Sequence, residues 1–410
     1  MTTPGGPAAS PSLITAPPTP ALPALPTGLL WLLALANFTV GMGAFMVIGV
    51  LSPIAQAFAV DKAHAGGLMT VYAAVYAVCS PLLIASTGRF DRRVMLMAGL
   101  CLFGLGALVA MTALQFNQLL VGRAVMALGG GIVSPVAAAV GVALSGAGRQ
   151  GKALAIVFGG LTMAQVVGVP AGAWLGYAYG WQFGFGVVLA LSLVAMLAIA
   201  LMLPAAIAVP RASLALLGQV LRSGRLMAAL AFTTFFLGAL YVVFTFMSAI
   251  LETQYGLGRD GVTVMLVIFG LGAVVGNSAG GWATDRWGSV RSLLVLCALQ
   301  CVLLPLMTLW VWPLALMAVL TAVWSVCAWG FMVPQQARLA SMSAALLPVV
   351  FALNASAIYI GASFGSALGG LALKTSGVGS LGPVAVLPMA VAAITLGLVA
   401  RWRPGVSALR

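Results

Sequence analysis

One charged side chain that could do chemistry, Arg123, lies inside a long apolar stretch of this chain. A cation at the centre of an apolar helix in a bilayer costs roughly 2.5 to 3.5 kcal/mol on the insertion scale, so its presence suggests a use. Arg123 is therefore the first candidate for binding a solute. The alternative is that its flexible side chain reaches the nearer water interface.

Carboxylates are the second set of candidates, because a buried carboxylate is the usual proton carrier in membrane proteins. None of the five acids lies deep inside an apolar stretch: Asp61, Asp91, Glu252, Asp260 and Asp285. Glu252 is near the end of one and is the candidate for coupling to protons. His64, the single histidine, is a weaker alternative.

The five cysteines all lie in apolar segments and none shows the CxxC spacing of a metal site. The sequence also contains no nucleotide-binding loop and no catalytic triad pattern. It therefore predicts neither an enzyme nor a bound metal or other cofactor.

The elements that must position these residues are membrane helices. Hydrophobic residues make up 63% of the 410 residues and charged residues 6%. A helix needs roughly 20 apolar residues to cross a bilayer. The sequence predicts twelve such spans, numbered 1 to 12 in chain order: 29-51, 66-87, 93-113, 118-143, 151-175, 182-203, 225-251, 261-283, 291-309, 313-337, 346-373 and 382-401.

The distribution of basic residues predicts the orientation. A net charge of +13 would suggest nucleic acid as the partner of a soluble protein. Here, with a cytoplasmic N-terminus, only Lys62, Arg259 and Lys374 fall outside, as the positive-inside rule requires. The charge is therefore an insertion signal, no nucleic acid is expected, and both termini are predicted to be cytoplasmic.

The chain divides into two halves of six spans. Residues 1-27 are predicted to be a disordered tail, 28-203 one bundle, 204-224 a cytoplasmic linker and 225-410 a second bundle. The halves are similar to each other, since the loops that contain Asp91 and Asp285 both follow the second span of a half. Duplicated halves of this kind are a known transporter plan, with the solute site between them.

Small residues recur at intervals of four in spans 5 and 11. Gly168, Gly172 and Gly176 form one row, and Gly361, Gly365 and Gly369 form the other. Such rows let helix backbones approach closely. Pro170 removes a backbone hydrogen bond and predicts a bend in span 5. Gly168, Pro170 and Gly172 are therefore candidates for conformational change.

Three motifs together resemble those of the major facilitator superfamily. The loop after span 8, Gly281-x-x-x-Asp285-Arg286-x-Gly288-x-x-Arg291, is similar to its G-x-x-x-D-R-x-G-R-R loop. Arg123 with the glycines after it resembles its span 4 motif, and Gly168-x-Pro170-x-Gly172 resembles the span 5 signature of exporters. The match is to the drug/proton antiporter group that includes bacterial arabinose and sugar efflux permeases.

The resemblance implies an all-α membrane protein with twelve transmembrane helices in two pseudo-symmetric six-helix bundles. It further implies a multi-pass transporter of the bacterial inner membrane, expected to be a monomer, that exports drugs, sugars or related metabolites by alternating access with proton antiport. The residues expected to contact the cargo are Asn37, Tyr72, Tyr76, Arg123, Gln165, Tyr241, Thr245, Asn277, Trp324, Asn354 and Tyr359. Asp285, Arg286 and Arg291 are expected to form a latch between helices.

Two departures from the family pattern leave alternatives open. The first loop, with Asp91, Arg92 and Arg93, has Gly88 where the motif has its Asp, so a latch there requires Asp91 to act from a shifted position. Ala44 stands where the sugar efflux branch usually has a Glu. A facilitator, exchanger or importer without proton coupling, for a neutral or anionic solute, is therefore the first alternative. A membrane sensor that does not transport is the second.

Overall fold

The computed structural model describes residues 27–86, 90–145, 149–205, 207, 214–342 and 346–401. Within these residues the chain forms helices joined by short connections, and no β-strand is present among them. The predicted disordered tail, apart from Thr27, and much of the predicted linker lie outside the described residues. The boundaries of the two halves stay a prediction.

The prediction of twelve transmembrane helices is confirmed, since twelve helical segments of the described chain are long and apolar enough to cross a membrane. Those of the N-terminal half are Gly28–Ile48, Lys62–Ile84, Arg92–Met111, Phe116–Leu144, Gln150–Tyr179 and Trp181–Met202. Those of the C-terminal half are Gly224–Tyr255, Arg259–Trp287, Ser289–Leu309, Leu314–Met342, Val349–Ser376 and Val378–Leu398. These are the observed bounds of spans 1 to 12.

Four spans are interrupted. Span 1 ends as an α-helix at Phe45 and continues through one 3₁₀ turn, Met46–Ile48, into a short helix, Leu51–Ala57. Span 7 consists of Gly224–Phe244 and Met247–Tyr255, and span 10 of Leu314–Trp329 and Met332–Met342. Span 5 contains a π-helical turn, Ala164–Gly168, between Gln150–Met163 and Val169–Tyr179. Spans 1 and 7, at equivalent places in the two halves, are thus broken near the same end.

The π-helical turn has a local cause in Pro170. Proline has no backbone N–H and cannot donate to the preceding turn, so the carbonyls there must find other partners. A π-helical turn widens the helix by one residue at this point. The widened turn lies directly before Pro170, and Gly270 of span 8 packs against the backbone of Gln165 and Val166 in it. The bend itself stays a prediction.

The glycine rows predicted to mediate close packing do so in both halves. Gly168, Gly172 and Gly176 of span 5 face residues of span 1 spaced by four: Met42, Met46 and Val50. In the C-terminal half, the row of span 11 faces the backbone of span 7: Gly361 beside Thr234, Gly365 beside Gly238 and Gly369 beside Val242. The same pairing of first and fifth spans in each half confirms the pseudo-symmetric bundles.

Two helices were not predicted. The helix Leu51–Ala57 follows the break in span 1, and Pro53 fits its first turn because backbone N–H groups there have no helical partner. The helix Leu214–Arg222 lies in the predicted linker. Its apolar residues recur at helical spacing, and Val220 is buried against Leu226 and Leu230. That periodicity was the signal that could have revealed it.

The two ends of the bundle differ in charge. At one end, called here the basic end, spans 2, 4, 6, 8 and 10 finish, and Arg93, Lys152 and Arg291 lie there in the first turns of spans 3, 5 and 9. At the other, called here the Glu252 end, span 2 begins at Lys62, earlier than predicted. Asp61 accepts a hydrogen bond from the His64 backbone N–H at 2.5 Å and so caps this helix.

Candidate functional site

Arg123 closes the broken end of span 1. Its guanidinium donates from Nη1 to the Gly43 carbonyl at 2.5 Å and from Nη2 to the Ala44 carbonyl at 2.8 Å. Nε donates to the Leu68 carbonyl of span 2 at 3.3 Å. The residue is fully buried, with 0% of its surface exposed, which excludes the alternative that it reaches the interface.

These bonds explain how a cation persists there without an acid. The last carbonyls of a helix have no intrahelical donor, and they form the negative end of the helix dipole. Arg123 supplies both the donors and the positive charge. Ala44 stands at the position where the sugar efflux branch usually has a Glu. Here Arg123 binds the backbone carbonyl oxygen of Ala44.

Three tyrosines join the two halves beside Arg123. The Arg123 guanidinium lies 4.3 Å from the centre of the Tyr72 ring, an attractive cation–π distance. The Tyr76 ring of span 2 stacks on Tyr359 of span 11, with centroids 3.7 Å apart. Tyr72 lies 6.3 Å from Tyr76 and 6.2 Å from Tyr359, measured between ring centroids.

A second row of rings runs from the same place into the C-terminal half. The Phe45 and Tyr241 rings, at 6.4 Å, connect the breaks of spans 1 and 7. Tyr241 lies 5.9 Å from Phe244, which stacks on Phe269 at 4.1 Å, and Phe269 lies 5.0 Å from Trp324. The sequence predicted Tyr241 and Trp324 but missed the three phenylalanines, because an apolar ring in an apolar span carries no distinguishing signal.

Polar atoms in these rings lack partners. The hydroxyl groups of Tyr72 and Tyr241 and the indole Nε1 of Trp324 are buried and make no hydrogen bond within the described residues. Buried polar groups in proteins are nearly always paired, so unpaired ones mark places where a solute or water binds. Two groups of rings thus cross from one half to the other: Tyr72, Tyr76 and Tyr359 beside Arg123, and Phe45, Tyr241, Phe244, Phe269 and Trp324. We call these rings together with Arg123 the ring cluster; the sequence predicted six of its members, Tyr72, Tyr76, Arg123, Tyr241, Trp324 and Tyr359.

Other predicted cargo contacts are engaged in helix packing. Asn37 donates to the Val157 carbonyl of span 5 at 3.1 Å. Thr245 and Ser366 share a hydrogen bond of 2.7 Å. Asn354 accepts from Thr233 at 2.7 Å. These bonds give the three residues a packing role, and a role in cargo contact stays a prediction.

Gln165 and Asn277 differ from these. Gln165 is buried in the π-helical turn of span 5, and its Oε1 has no partner within the described residues. Asn277 is half-buried on span 8, and its side chain makes no hydrogen bond with the described residues. Gln165 therefore keeps a free acceptor at the contact between the halves.

The Glu252 end is held shut by bonds between the halves. Lys62 of span 2 donates to the Glu252 carboxylate of span 7 at 2.9 Å. Tyr177 of span 5 donates to the other oxygen of the same carboxylate. Ser248 of span 7 donates to the Ile48 carbonyl of span 1 at 2.8 Å. Glu252 thus bridges two spans of the opposite half, a contact the sequence did not reveal.

The loop motifs at the basic end take unequal roles. Asp91 accepts from the Arg93 and Val94 backbone N–H groups at 2.8 and 3.3 Å and caps span 3. The Arg93 side chain donates to the Ala200 carbonyl of span 6. Arg92 is buried and contacts the Met95 sulfur at 3.3 Å.

In the second loop, Asp285, Arg286 and Arg291 are exposed. None of the three makes an ion pair within the described residues. The latch predicted for this loop is therefore not formed among the described residues of this structure.

Comparison with known proteins agrees with this architecture. Residues 33–366 match the Major Facilitator Superfamily. The MFS-type transporter YbcL of Bacillus subtilis is 30% identical over 92% of this chain and 96% of its own length. The inner membrane transport protein YdhP of Escherichia coli strain K12 is 28% identical over 85% of this chain and 89% of its own.

Solved structures show the same fold. A bacterial homolog of the human lysosomal transporter Spinster, in an inward-facing and unoccupied conformation, has a TM-score of 0.72 at 16% identity and covers 92% of this chain and 99% of its own. The D-xylose-proton symporter has a TM-score of 0.72 at 14% identity, and the match covers 92% of this chain and 97% of the symporter chain. The chain therefore belongs to the major facilitator superfamily and is a multi-pass membrane transporter.

Proposed function

We propose that this protein is a secondary transporter that exports small organic compounds across the bacterial inner membrane by alternating access. The observation that carries the proposal is the ring cluster, with unpaired polar atoms where the two halves meet. A solute bound there contacts both halves at once. Its binding free energy can then depend on how the halves are arranged, as alternating access requires.

The contacts between the halves support one state of that cycle. Those at the Glu252 end close the pathway there, and Ser363 of span 11 also donates to the Thr70 carbonyl of span 2 at 3.0 Å. At the basic end, Asp285 is exposed and unpaired within the described chain. With the basic end in the cytoplasm, as the positive-inside rule predicts, this is a state that takes cargo from the cytoplasm.

The ring cluster favours a neutral cargo that carries rings or hydroxyl groups. The tyrosine hydroxyls can donate or accept hydrogen bonds, the indole N–H can donate, and the ring faces offer apolar surface. The nearest fixed charge is the Arg123 cation, and no carboxylate among the described residues pairs with it. This combination disfavours organic cations. Thermal-shift screening of the purified protein against sugars, carboxylates, antibiotics and organic cations tests this preference.

A second candidate is transport without proton coupling, favoured by the place of Glu252. A group that couples antiport must take up a proton on one side of the membrane and release it on the other. Glu252 lies at one end and pairs with Lys62 there, so it serves better as a latch between the halves.

Flux of a ligand found in the screen, measured in proteoliposomes with and without a pH gradient, separates the two candidates. Dependence of export on the gradient supports antiport, and equal rates support the facilitator. Absence of both net flux and counterflow would contradict transport and leave the sensor.

The latch gives the first testable prediction. Changing Glu252 to Gln removes the charge that holds Lys62 and Tyr177, so the Glu252 end should open more often. Partly exposed ion pairs contribute little, about 0 to 1 kcal/mol, so we expect a shift of up to about fivefold between the closed and open states. The measurement is the labelling rate of a cysteine placed at the buried Ala249 in a cysteine-free background, which leaves the Ser248 bond in place.

Glu252→Asp is the matched control for that measurement. It keeps the charge but is one methylene shorter, so it should fall between the wild type and Glu252→Gln. Equal labelling rates in all three proteins would show that the bridge does not hold the end closed.

A further inference from the structure

Arg338, near the basic end of span 10, has a guanidinium nitrogen that donates no hydrogen bond to the described residues. It is 5% exposed, and its Nη2 is buried without any hydrogen-bond partner in the described part of the chain. Its Nη1 makes one long hydrogen bond, 3.4 Å, to Gln335 Oε1. Arg123, by contrast, has a partner for every guanidinium nitrogen. Arg123 and Arg338 therefore differ in what they can still bind.

A second arginine points to the same place. Arg225 opens span 7, and its Nε is also buried and unpaired within the described residues. Spans 7 and 10 run antiparallel and touch where Gln335 Nε2 donates to the Ala229 carbonyl at 2.8 Å. Arg225 lies four residues before Ala229 and Arg338 three residues after Gln335. Both therefore lie on the basic-end side of that contact, about 5 to 6 Å along each helix from it.

No acid balances these two cations. All five carboxylate side chains lie in described residues, and the ion pairs among them involve Glu252 and Asp260 at the opposite end. Buried cations without a counter-charge are costly, and this cost falls when an anion binds between them. A guanidinium presents a planar fork of N–H groups that matches carboxylate and phosphate oxygens.

The surrounding side chains hold Arg338 in place. Gln335 Nε2 also donates to Thr233 Oγ1 at 2.9 Å, and Thr233 in turn donates to Asn354 Oδ1 at 2.7 Å. This network joins span 7, span 10 and span 11, and its side chains are buried. It orients the Gln335 carbonyl oxygen toward Arg338, while the Arg338 guanidinium lies 5.7 Å from the Phe232 ring. The site is thus built by three helices rather than by a mobile surface residue.

We propose that Arg338 and Arg225 form a binding site for a small oxyanion, a carboxylate or a phosphate, at the basic end of the C-terminal half. The site is separate from the ring cluster and is reached from the basic end. It stands independently of the proposed function, because anion binding can be measured without any transport.

Isothermal titration of the purified full-length protein with inorganic phosphate, at constant ionic strength, tests the site. We expect one saturable site in the wild type, and at least about tenfold weaker binding in Arg338→Gln, which is a loss of about 1.4 kcal/mol. Arg222→Gln is the matched control, since Arg222 is exposed at the end of the helix Leu214–Arg222, three residues before Arg225. It should bind phosphate as the wild type does. No saturable binding in the wild type, or equal binding in Arg338→Gln, would overturn the proposal.

Thermal unfolding gives a second readout that a merely structural arginine would not produce. Without added anions, Arg338→Gln should melt above the wild type, because a buried uncompensated cation has been removed. Phosphate should raise the melting temperature of the wild type and not that of the variant. A variant that melts lower than the wild type and still responds to phosphate contradicts the proposal. Arg338→Lys, which keeps the charge but loses the fork, should bind phosphate with intermediate affinity.

Phosphate can come from solution or from a lipid headgroup, and nanodiscs distinguish these sources. The titration is repeated in discs of phosphatidylcholine and in discs of phosphatidylglycerol. Binding in both disc types supports a soluble anion as the occupant. Binding only in phosphatidylcholine supports occupation of the site by the anionic lipid. Absence of binding in phosphatidylcholine discs as well as in detergent overturns the site.

Discussion

Replacement of Arg123 by leucine should abolish transport and destabilise the N-terminal half by several kcal/mol. The leucine leaves the carbonyls of Gly43 and Ala44 buried without donors, at a cost of about 1 to 3 kcal/mol each, and it removes the additional hydrogen bond to the Leu68 carbonyl. It also removes the positive charge at the end of the span 1 dipole. Thermal unfolding of the detergent-purified protein and flux in proteoliposomes are the measurements.

Arg123→Lys separates charge from geometry. An ammonium keeps the charge but cannot fork to the Gly43 and Ala44 carbonyls together, so partial stability and reduced flux are expected. Lys152→Leu is the control, since Lys152 is an exposed cation at the basic end whose loss should leave the melting temperature unchanged. Wild-type stability in Arg123→Leu would show that the broken end of span 1 does not need its cap.

Substitution by alanine should change the melting temperature in different ways at two adjacent glycines of span 5, Gly159 and Gly160. A methyl group at Gly160 would collide with the carbonyl oxygen of Ala34 in span 1, whereas one at Gly159 meets nothing within 4 Å. Alanine in place of a helical glycine stabilises by about 0.5 to 1 kcal/mol where there is room. Gly159→Ala should therefore keep or raise the melting temperature.

Gly160→Ala should lower the melting temperature, since overpacking typically costs about 1 to 3 kcal/mol. The obstacle here is the backbone carbonyl of Ala34, which cannot rotate away as a side chain could. The melting temperatures of the two purified variants, measured in one detergent, make the comparison. Equal values would show that spans 1 and 5 separate easily, and that their close approach is not a constraint on the fold.

The sequence predicted the membrane helices well, because a span of about 20 apolar residues is a strong physical requirement of the bilayer. It also predicted the glycine rows, since small residues at intervals of four are a property of the local sequence, whereas the bend at Pro170 stays a prediction. It did not reveal that Glu252 meets Lys62 and Tyr177. Those residues are far apart in the chain, and only the packing of the two halves brings them together.

The residues of the ring cluster were predicted only in part, because the sequence shows residue types and not the contacts that packing creates. Tyr72, Tyr76, Tyr241, Trp324 and Tyr359 stood out as polar or aromatic residues in the right spans. The carbonyl partners of Arg123 could not be foreseen, because every residue has a carbonyl group and the break that exposes those of Gly43 and Ala44 has no proline. The unfilled donors of Arg338 are likewise a property of the packed helices alone.

The two broken spans are fastened by different forces, and this has a mechanical consequence. Arg123 donates two directional hydrogen bonds to the span 1 break and a third to span 2, which together fix the depth and the rotation of that break, whereas Phe244 of span 7 is held by stacked rings. Ring faces resist separation but allow sliding and tilting. We therefore expect that, once the bonds of Glu252 and Ser248 break, the tip Met247–Tyr255 tilts about Phe244 more readily than the tip of span 1 moves about Arg123.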